Sequence, residues 1–152
     1  CYAEGIGDKL TPITLDLSGL RLIMIKPNCG VSTREAYSGI IRHPEAEGQI
    51  QQAWVEGKSF VEMRPLLVND FEQTVFPLHP EIAAIKKRLQ DAGAVYTAMS
   101  GSGSTVFGLF PTPSYITLHN TTQHDAEGST DAQLRLLHEE FAAMVILDDT
   151  LA

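Results

Sequence analysis

The decisive stretch of this sequence reads Met99-Ser100-Gly101-Ser102-Gly103-Ser104-Thr105. It lies between two segments with the composition of β-strands, residues 94–99 and 105–110. The two glycines allow positive φ, and they leave room for another backbone or a phosphate group to come close. The serines add hydroxyl groups and successive N–H donors. The pattern predicts an antiparallel hairpin with a Gly-Ser loop at its tip, and a flexible turn is the simpler interpretation of the loop taken alone.

Apolar patterning predicts the other main elements. Leu22–Ile25 is apolar on both faces, which is typical of a buried strand, and Pro27 ends it. The clearest helix begins at Pro80 and ends before Gly93, since its apolar residues recur at helical spacing. A helix over residues 131–140 and a strand over residues 142–147 follow. Shorter helices are predicted to begin at Ser32 and Asn69, and to cover residues 49–56 and 59–64.

The major elements run β-α-β-β-α-β. This order predicts an α+β fold, with a ferredoxin-like split βαβ antiparallel sheet, helices on one face and extra short helices inserted. A right-handed crossover makes the first two strands point the same way, so residues 28–37 and 100–104 are expected at one edge of the sheet. Residues 111–130 are polar and rich in turn formers, and we expect a long surface loop that leaves from the opposite edge.

Charge and cysteine content exclude several functions. The 152 residues suit one domain, and their net charge is −8. Nucleic acids and anionic membranes are not expected as partners, because both require a basic surface. No apolar run approaches the roughly 20 residues of a membrane span, and the first residues do not show a signal-peptide pattern. Cys1 and Cys29 have no metal-ligand spacing, so we expect reduced thiols, a cytoplasmic location and no metal site.

The Gly-Ser run resembles the third signature of the GHMP small-molecule kinases, whose C-terminal domain carries a Gly-Ser-Gly loop beside the phosphate site. Other segments occur in the order and approximate spacing of one branch of that family, among them Gly5-Ile6-Gly7-Asp8, Gly30-Val31-Ser32-Thr33, Asn69-Asp70-Phe71-Glu72 and His79-Pro80. The resemblance extends from about residue 3 to residue 110. It implies a GHMP kinase C-terminal-like domain over residues 21–152, with residues 1–20 as a linker or edge segment from a preceding N-terminal domain.

The resemblance also implies a function. The whole protein would use ATP, with Mg²⁺, to phosphorylate the 2-hydroxyl group of a small cytidyl diphosphate substrate in non-mevalonate isoprenoid precursor synthesis. The residues expected near phosphate are Ser100, Gly101, Ser102, Gly103 and Ser104. Tyr37 is a candidate to pack on the cytosine ring, with a core tyrosine as the equal alternative. The catalytic residues and the ATP loop are expected in the preceding domain, so the fragment alone is expected to be inactive.

Several suggestive residues have simpler structural interpretations. Asn69 and Glu72 have the spacing of a helix-capping box. His79 before Pro80 is expected to begin a helix and not to act as a base. Cys29 has no activating partner in sequence and is interpreted as a small loop residue.

Two alternatives to this function stay open at the level of sequence. One is a stand-alone ligand-binding module on a ferredoxin-like fold, and the other is the C-terminal domain of a different GHMP kinase. The fold cannot choose between them, because ferredoxin-like domains serve many functions.

Overall fold

A computed structural model describes residues 1–41, 44–119 and 131–151. Along the chain its elements are β1 (Tyr2–Glu4), β2 (Lys9–Thr11), β3 (Leu20–Ile25), α1 (Thr33–Ser38), α2 (Pro44–Val55), α3 (Phe60–Met63), a 3₁₀ turn (Arg64–Leu66), α4 (Glu72–Leu78), α5 (Pro80–Asp91), β4 (Tyr96–Met99), β5 (Val106–Pro111), α6 (Pro113–His119), α7 (Asp131–Glu140) and β6 (Val145–Thr150). The chain divides into a smaller unit, residues 1–17 and 43–67, and a larger unit, residues 18–42 and 68–152. The origin of residues 1–20 in a preceding domain stays a prediction.

The described residues of the smaller unit form a hairpin, the helices α2 and α3 and the 3₁₀ turn. Strands β1 and β2 pair in antiparallel fashion, and the rings of Tyr2 and Trp54 stack at 5.8 Å between centroids. Helix α3 begins with a reciprocal capping box, in which Ser59 N donates to the Glu62 carboxylate (2.9 Å) and Glu62 N donates to Ser59 Oγ (3.4 Å). Helices are confirmed at both predicted places, residues 49–56 and 59–64, but the first begins five residues earlier, at Pro44.

The larger unit is built on a four-stranded sheet in the order β4-β5-β3-β6, with every neighbouring pair antiparallel. Strands β3 and β4 therefore run in the same direction, since each is antiparallel to β5. Ile25 and Met99 both pair with Val106, which places the carboxyl ends of β3 and β4 at one edge. The ferredoxin-like α+β fold and the convergence of its first two strand ends are confirmed.

The hydrophobic core of the larger unit lies between one face of the sheet and the helices α5 and α7. It joins sheet residues to helix residues, among them Ile23, Ile25, Val106 and Phe110 with Ile82, Ile85, Leu89, Leu134 and Leu137. A Cβ at Gly108 would lie 3.0 Å from the Phe110 ring and 3.5 Å from Leu89 Cβ. Glycine at this position thus lets α5 pack closely on β5.

The segment after β5 differs from the predicted loop. Residues Pro113–His119 form α6, and Tyr115 in it is buried. Thr112 starts the helix, since its Oγ1 hydrogen-bonds the Gly19 carbonyl and accepts Tyr115 N (3.4 Å). The loop prediction is wrong for these residues, because it followed the polar composition of the segment and gave no weight to the one aromatic side chain that is buried. Residues 120–130 of the predicted loop lie outside the described residues. Pro111 pairs with Leu20, so the segment does leave from the opposite edge.

Strand β6 occupies residues 145–150, three positions beyond the predicted strand. Asp148 explains the difference. It accepts two hydrogen bonds from the Arg21 guanidinium on β3, from Nε (2.5 Å) and Nη2 (2.6 Å), and it contacts His138 Nε2 of α7 at 2.5 Å. These partners hold the pKa of Asp148 below its usual value, with the Arg21 hydrogen bond as the largest cause. A carboxylate in this strand thus joins three elements of the fold.

Truncation of the buried α7 face tests the core. Leu137→Ala should lower the free energy of unfolding by about 2–5 kcal/mol, because it removes a fully buried side chain and leaves a cavity. The neighbouring Leu136 is exposed on the same helix, so Leu136→Ala should change the free energy of unfolding by less than about 0.5 kcal/mol. Urea denaturation measures both, and equal effects would contradict the assigned helix face.

The Asp148 cluster predicts a pH-dependent contribution to stability. At pH 7, Asp148→Asn should lower the free energy of unfolding by about 1–2 kcal/mol. The loss is not larger because Arg21 is partly exposed and water weakens its charge-assisted hydrogen bonds. The pKa of Asp148 in the folded protein lies below its value in the unfolded chain, about 3.9. The contribution of Asp148 to stability is therefore complete above that pH, and it is lost as the pH falls through the pKa of the folded protein.

The two proteins should therefore converge in stability in acid. Asp149→Asn is the matched control, since Asp149 is exposed and its carboxylate accepts, among the residues that the structure describes, only the N–H of its neighbour Thr150. Denaturation curves between neutral and acidic pH measure the difference, and a gap between D148N and the unaltered protein that does not narrow in acid would refute the assignment.

Candidate functional site

The Gly-Ser loop, residues 100–104, connects β4 to β5 at the edge where β3 and β4 end. Ser100 N donates to Thr105 O (2.8 Å), and Gly103 N donates to Ser100 O (3.0 Å). Gly101 and Gly103 have φ of +55° and +94°, as the sequence predicts for both glycines. In the described part of the chain, the N–H groups of Gly101, Ser102 and Ser104 have no acceptor. Loop N–H groups without an acceptor can bind an anion without a basic side chain.

Asn69 holds the loop from the α4 side. Its Nδ2 donates to the carbonyl oxygens of Met99 (2.6 Å) and Gly101 (2.8 Å), and its Oδ1 accepts Phe71 N (3.0 Å). The residue that precedes α4 is Phe71, with no side-chain cap. The predicted capping box is therefore wrong in detail: the Asn69 amide bridges 30 residues of sequence to fix the hairpin tip.

Glu72 fixes the strand that leads into the loop. Its Oε1 accepts Met99 N (2.8 Å), and its Oε2 accepts Lys86 Nζ (2.5 Å) from α5. Lys86 also lies 5.6 Å from the centre of the Phe76 ring. The structural interpretation of Glu72 is correct, but its partners are tertiary and not the first turn of its own helix.

Ser104 ties the loop to the segment after β3. Its Oγ donates to Cys29 O (2.7 Å), and the residue is buried. A Cβ at Gly103 would lie 2.8 Å from Met99 Sδ and 3.3 Å from Val31 Cγ2, whereas a Cβ at Gly101 would meet nothing within 4 Å. Gly103 is thus required by packing. Gly101 is open to whatever approaches the loop.

Tyr37 lies on α1 and is 63% exposed, so the core interpretation of this residue is wrong. Its ring contacts Phe71 edge to face, with centroids 4.8 Å apart and planes at 80°. Phe71 is also the residue whose N–H Asn69 accepts, so Tyr37 is connected through one ring to the anchor of the loop. Contact between Tyr37 and a cytosine ring stays a prediction.

A second group of side chains gathers where the β3 extension meets the start of α5. His79 Nε2 lies 3.4 Å from Glu35 Oε2, and His79 Nδ1 lies 3.5 Å from Glu81 Oε1. The Cys29 thiol bonds Glu81, and burial is the largest cause that raises the pKa of this thiol. The pKa of Glu81 is lowered, mainly by its own backbone N–H and then by Cys29 and His79. The sequence did not reveal this group, because its members are far apart along the chain.

This geometry agrees with the family comparison. Residues 51–117 match the family model described as GHMP kinases C terminal. Together with the sheet order and the placement of the Gly-Ser loop, the match defines the class: the chain carries a GHMP kinase C-terminal domain.

Named relatives narrow the class. The chain is 48% identical over 109 residues to the 4-diphosphocytidyl-2-C-methyl-D-erythritol kinase of Bacteroides thetaiotaomicron, which covers 72% of this chain and 39% of that kinase. It is 40% identical over 111 residues to the kinase of the same name from Bacillus subtilis, over 70% of this chain and 37% of that one. The chain thus spans about two fifths of the length of these relatives.

Solved structures agree with this result. A crystal structure of 4-(cytidine 5'-diphospho)-2C-methyl-D-erythritol kinase superposes with a TM-score of 0.51 at 27% identity, and the match covers 75% of this chain and 41% of that one. A homoserine kinase from Cytophaga hutchinsonii superposes with a TM-score of 0.54 at 19% identity and covers 93% of this chain and 43% of that one, which shows the fold alone. Within the described residues, no helix has the length and apolarity to cross a membrane.

Substitution of Asn69 tests how the loop is held. Asn69→Asp keeps the acceptor for Phe71 N but replaces the amide donor by a carboxylate that faces two carbonyl oxygens. We expect a loss of about 1–3 kcal/mol in the free energy of unfolding, together with faster amide hydrogen exchange in residues 100–104. Asp70→Asn, at a position with no side-chain bond in the described structure, is the control. Unchanged exchange in N69D would show that the loop does not depend on Asn69.

Proposed function

We propose that this chain forms the C-terminal, substrate-binding half of an ATP-dependent kinase. The kinase transfers the γ-phosphate of ATP to the 2-hydroxyl group of 4-diphosphocytidyl-2-C-methyl-D-erythritol, in non-mevalonate isoprenoid precursor synthesis. The substrate assignment rests on kinases of that name that are 40–48% identical to this chain. The 19% identity to the homoserine kinase gives that substrate no comparable support.

The free N–H groups of the Gly-Ser loop are the observation that carries the phosphate role. Phosphoryl transfer depends mainly on positioning and on electrostatic stabilisation of the transferring group. N–H dipoles that are already oriented contribute most, because they need no rearrangement when charge develops. Asn69 on one side and Ser104 on the other hold the loop in place, so the loop is ordered before a ligand arrives.

Tyr37 is proposed as the contact for the cytosine ring. Its neighbour Phe71 takes the edge-to-face position, and the exposed remainder of the Tyr37 ring is available to a flat base. Stacking of a base on an aromatic ring contributes about 1–3 kcal/mol. The alternative of a stand-alone ligand-binding module has no observation of its own in this structure.

The remaining chemistry is assigned to the rest of the kinase. The catalytic base and most contacts to ATP and Mg²⁺ belong to the preceding N-terminal domain, and the loop at residues 100–104 closes the phosphate side of the cleft. The partners are therefore one small cytidyl diphosphate molecule and that domain. The cytoplasm is the proposed location, where the free thiols Cys1 and Cys29 remain reduced.

Gly101 provides the test, in the complete two-domain kinase. Gly101→Val should lower turnover per folded molecule at least about tenfold, a barrier increase of about 1.4 kcal/mol, because a branched side chain would occupy the open face of the loop. Gly57→Val is the matched control. Gly57 also has a left-handed φ, +67° against +55°, and also has open space around its Cβ position.

Both variants carry a similar backbone strain of about 1–2 kcal/mol, which thermal denaturation measures on the same preparations. Only G101V should also lose activity in a coupled assay of ADP release. Near-normal turnover of G101V, or an equal loss of turnover in G57V, would show that the loop is a turn without a role in catalysis. Gly103 is unsuitable for this test, because its substitution also disturbs Met99.

A further inference from the structure

The group formed by Cys29, Glu35, His79 and Glu81 has no role in the proposed phosphoryl transfer. His79 precedes α5 and is 19% exposed, and its ring lies between two carboxylates. Ligand atoms of Cys29, His79 and Glu81 all lie within 4.8 Å of one another. These three residues come from two different parts of the fold, the segment after β3 and the first turn of α5.

Each ring nitrogen of His79 has a carboxylate oxygen close to it. If Nε2–H donates to Glu35, the lone pair on Nδ1 faces Glu81 Oε1 at 3.5 Å. Two acceptors cannot face each other at that distance without repulsion. A cation between the two atoms removes this repulsion, and the nearby Cys29 sulfur favours an ion with affinity for thiolate.

We propose that Cys29, His79 and Glu81 form a binding site for Zn²⁺ or a similar thiolate-binding divalent ion. The ligands are the Cys29 Sγ, His79 Nδ1 and a Glu81 carboxylate oxygen, and Glu35 orients the imidazole from its other nitrogen. A carboxylate on the second nitrogen of a ligand histidine is a common feature of zinc sites. Two anionic ligands and one neutral imidazole balance the charge of the ion.

The spacing suits a tetrahedral ion. Zinc binds nitrogen and oxygen at about 2.0–2.2 Å, and two such ligands at the tetrahedral angle lie about 3.4 Å apart, close to the 3.5 Å between His79 Nδ1 and Glu81 Oε1. Cys29 completes the set after its thiol proton passes to solvent. Cys29 and Glu81 also line a pocket of about 560 Å³ together with Arg88 and Phe141, and a water molecule from this pocket would supply the fourth ligand. Mg²⁺ and Ca²⁺ fit poorly, since they prefer oxygen ligands alone.

An ion at this site would be coupled to the Gly-Ser loop. The Cys29 carbonyl accepts the Ser104 hydroxyl (2.7 Å), so a bound ion that fixes Cys29 also fixes the β5 side of the loop. The site would thus join the start of α5 to the edge that carries the phosphate-proximal residues.

Co²⁺ is a direct probe, because a thiolate bound to Co²⁺ gives a ligand-to-metal charge-transfer absorption. The experiment uses this chain in a Cys1→Ser background, since an N-terminal cysteine can chelate metal ions with its own amine. We expect one equivalent of Co²⁺ to bind with that absorption, Zn²⁺ to displace it, and millimolar Mg²⁺ to leave it unchanged. Zn²⁺ should also raise the melting temperature.

Variants locate the site. Cys29→Ser should remove the charge-transfer absorption, His79→Gln and Glu81→Gln should abolish stoichiometric binding, and Glu35→Gln should weaken Co²⁺ binding by about 10–100-fold. His138→Gln is the histidine control and should bind normally, because His138 belongs to the Asp148 cluster. Circular dichroism verifies that each variant is folded. The proposal is overturned if the C1S protein gives no charge-transfer absorption, or if the absorption survives in folded H79Q or E81Q.

Discussion

The carboxylate of Glu72 is the contact on which the arrangement of the larger unit depends. It accepts the backbone N–H of Met99 at the end of β4 and the ammonium group of Lys86 on α5. One side chain on α4 therefore connects a strand and a second helix, with only 14% of its surface exposed. Removal of either partner would leave a partly buried carboxylate incompletely paired, which destabilises the folded state. The position of the hairpin relative to α4 and α5 follows from these contacts.

The residues around Glu72 also fix the tip of the hairpin. Asn69, three residues before Glu72, donates to the carbonyl oxygens on both sides of Ser100, and Ser104 closes the other side of the loop on Cys29 O. The loop thus has fixed ends and free N–H groups at its centre. For the proposed anion site this combination lowers the cost of ligand binding, because the entropy of loop ordering is lost during folding and not during binding.

The two glycines of the loop illustrate how one motif serves two purposes. Gly103 faces the Met99 side chain and the Val31 methyl group, so its missing Cβ permits packing, whereas Gly101 faces open space. The edge that carries the loop also carries the Cys29–His79–Glu81 group. Both places result from the ferredoxin-like order of strands, which brings the segments after β3 and β4 together although β5 separates the two strands.

Local pattern was sufficient for much of the fold. The apolar periodicity of α5, the run at residues 22–25 and the glycines of the hairpin predicted these elements and, through the handedness of the crossover, the shared edge of the sheet. Burial and backbone conformation decide such features, and both are encoded in neighbouring residues. The tertiary structure alone decided the partners of polar side chains: the Asn69 amide donates to the hairpin carbonyls while its Oδ1 accepts Phe71 N before α4, and Glu72 accepts from the hairpin and from α5. Burial of Tyr115 turns part of a polar segment into α6. The fold likewise brings the Cys29 thiol to Glu81 and the Asp148 carboxylate to Arg21. A hydrogen bond or ion pair forms with whichever group the fold places within about 3 Å, and residue type and spacing along the chain do not specify that group.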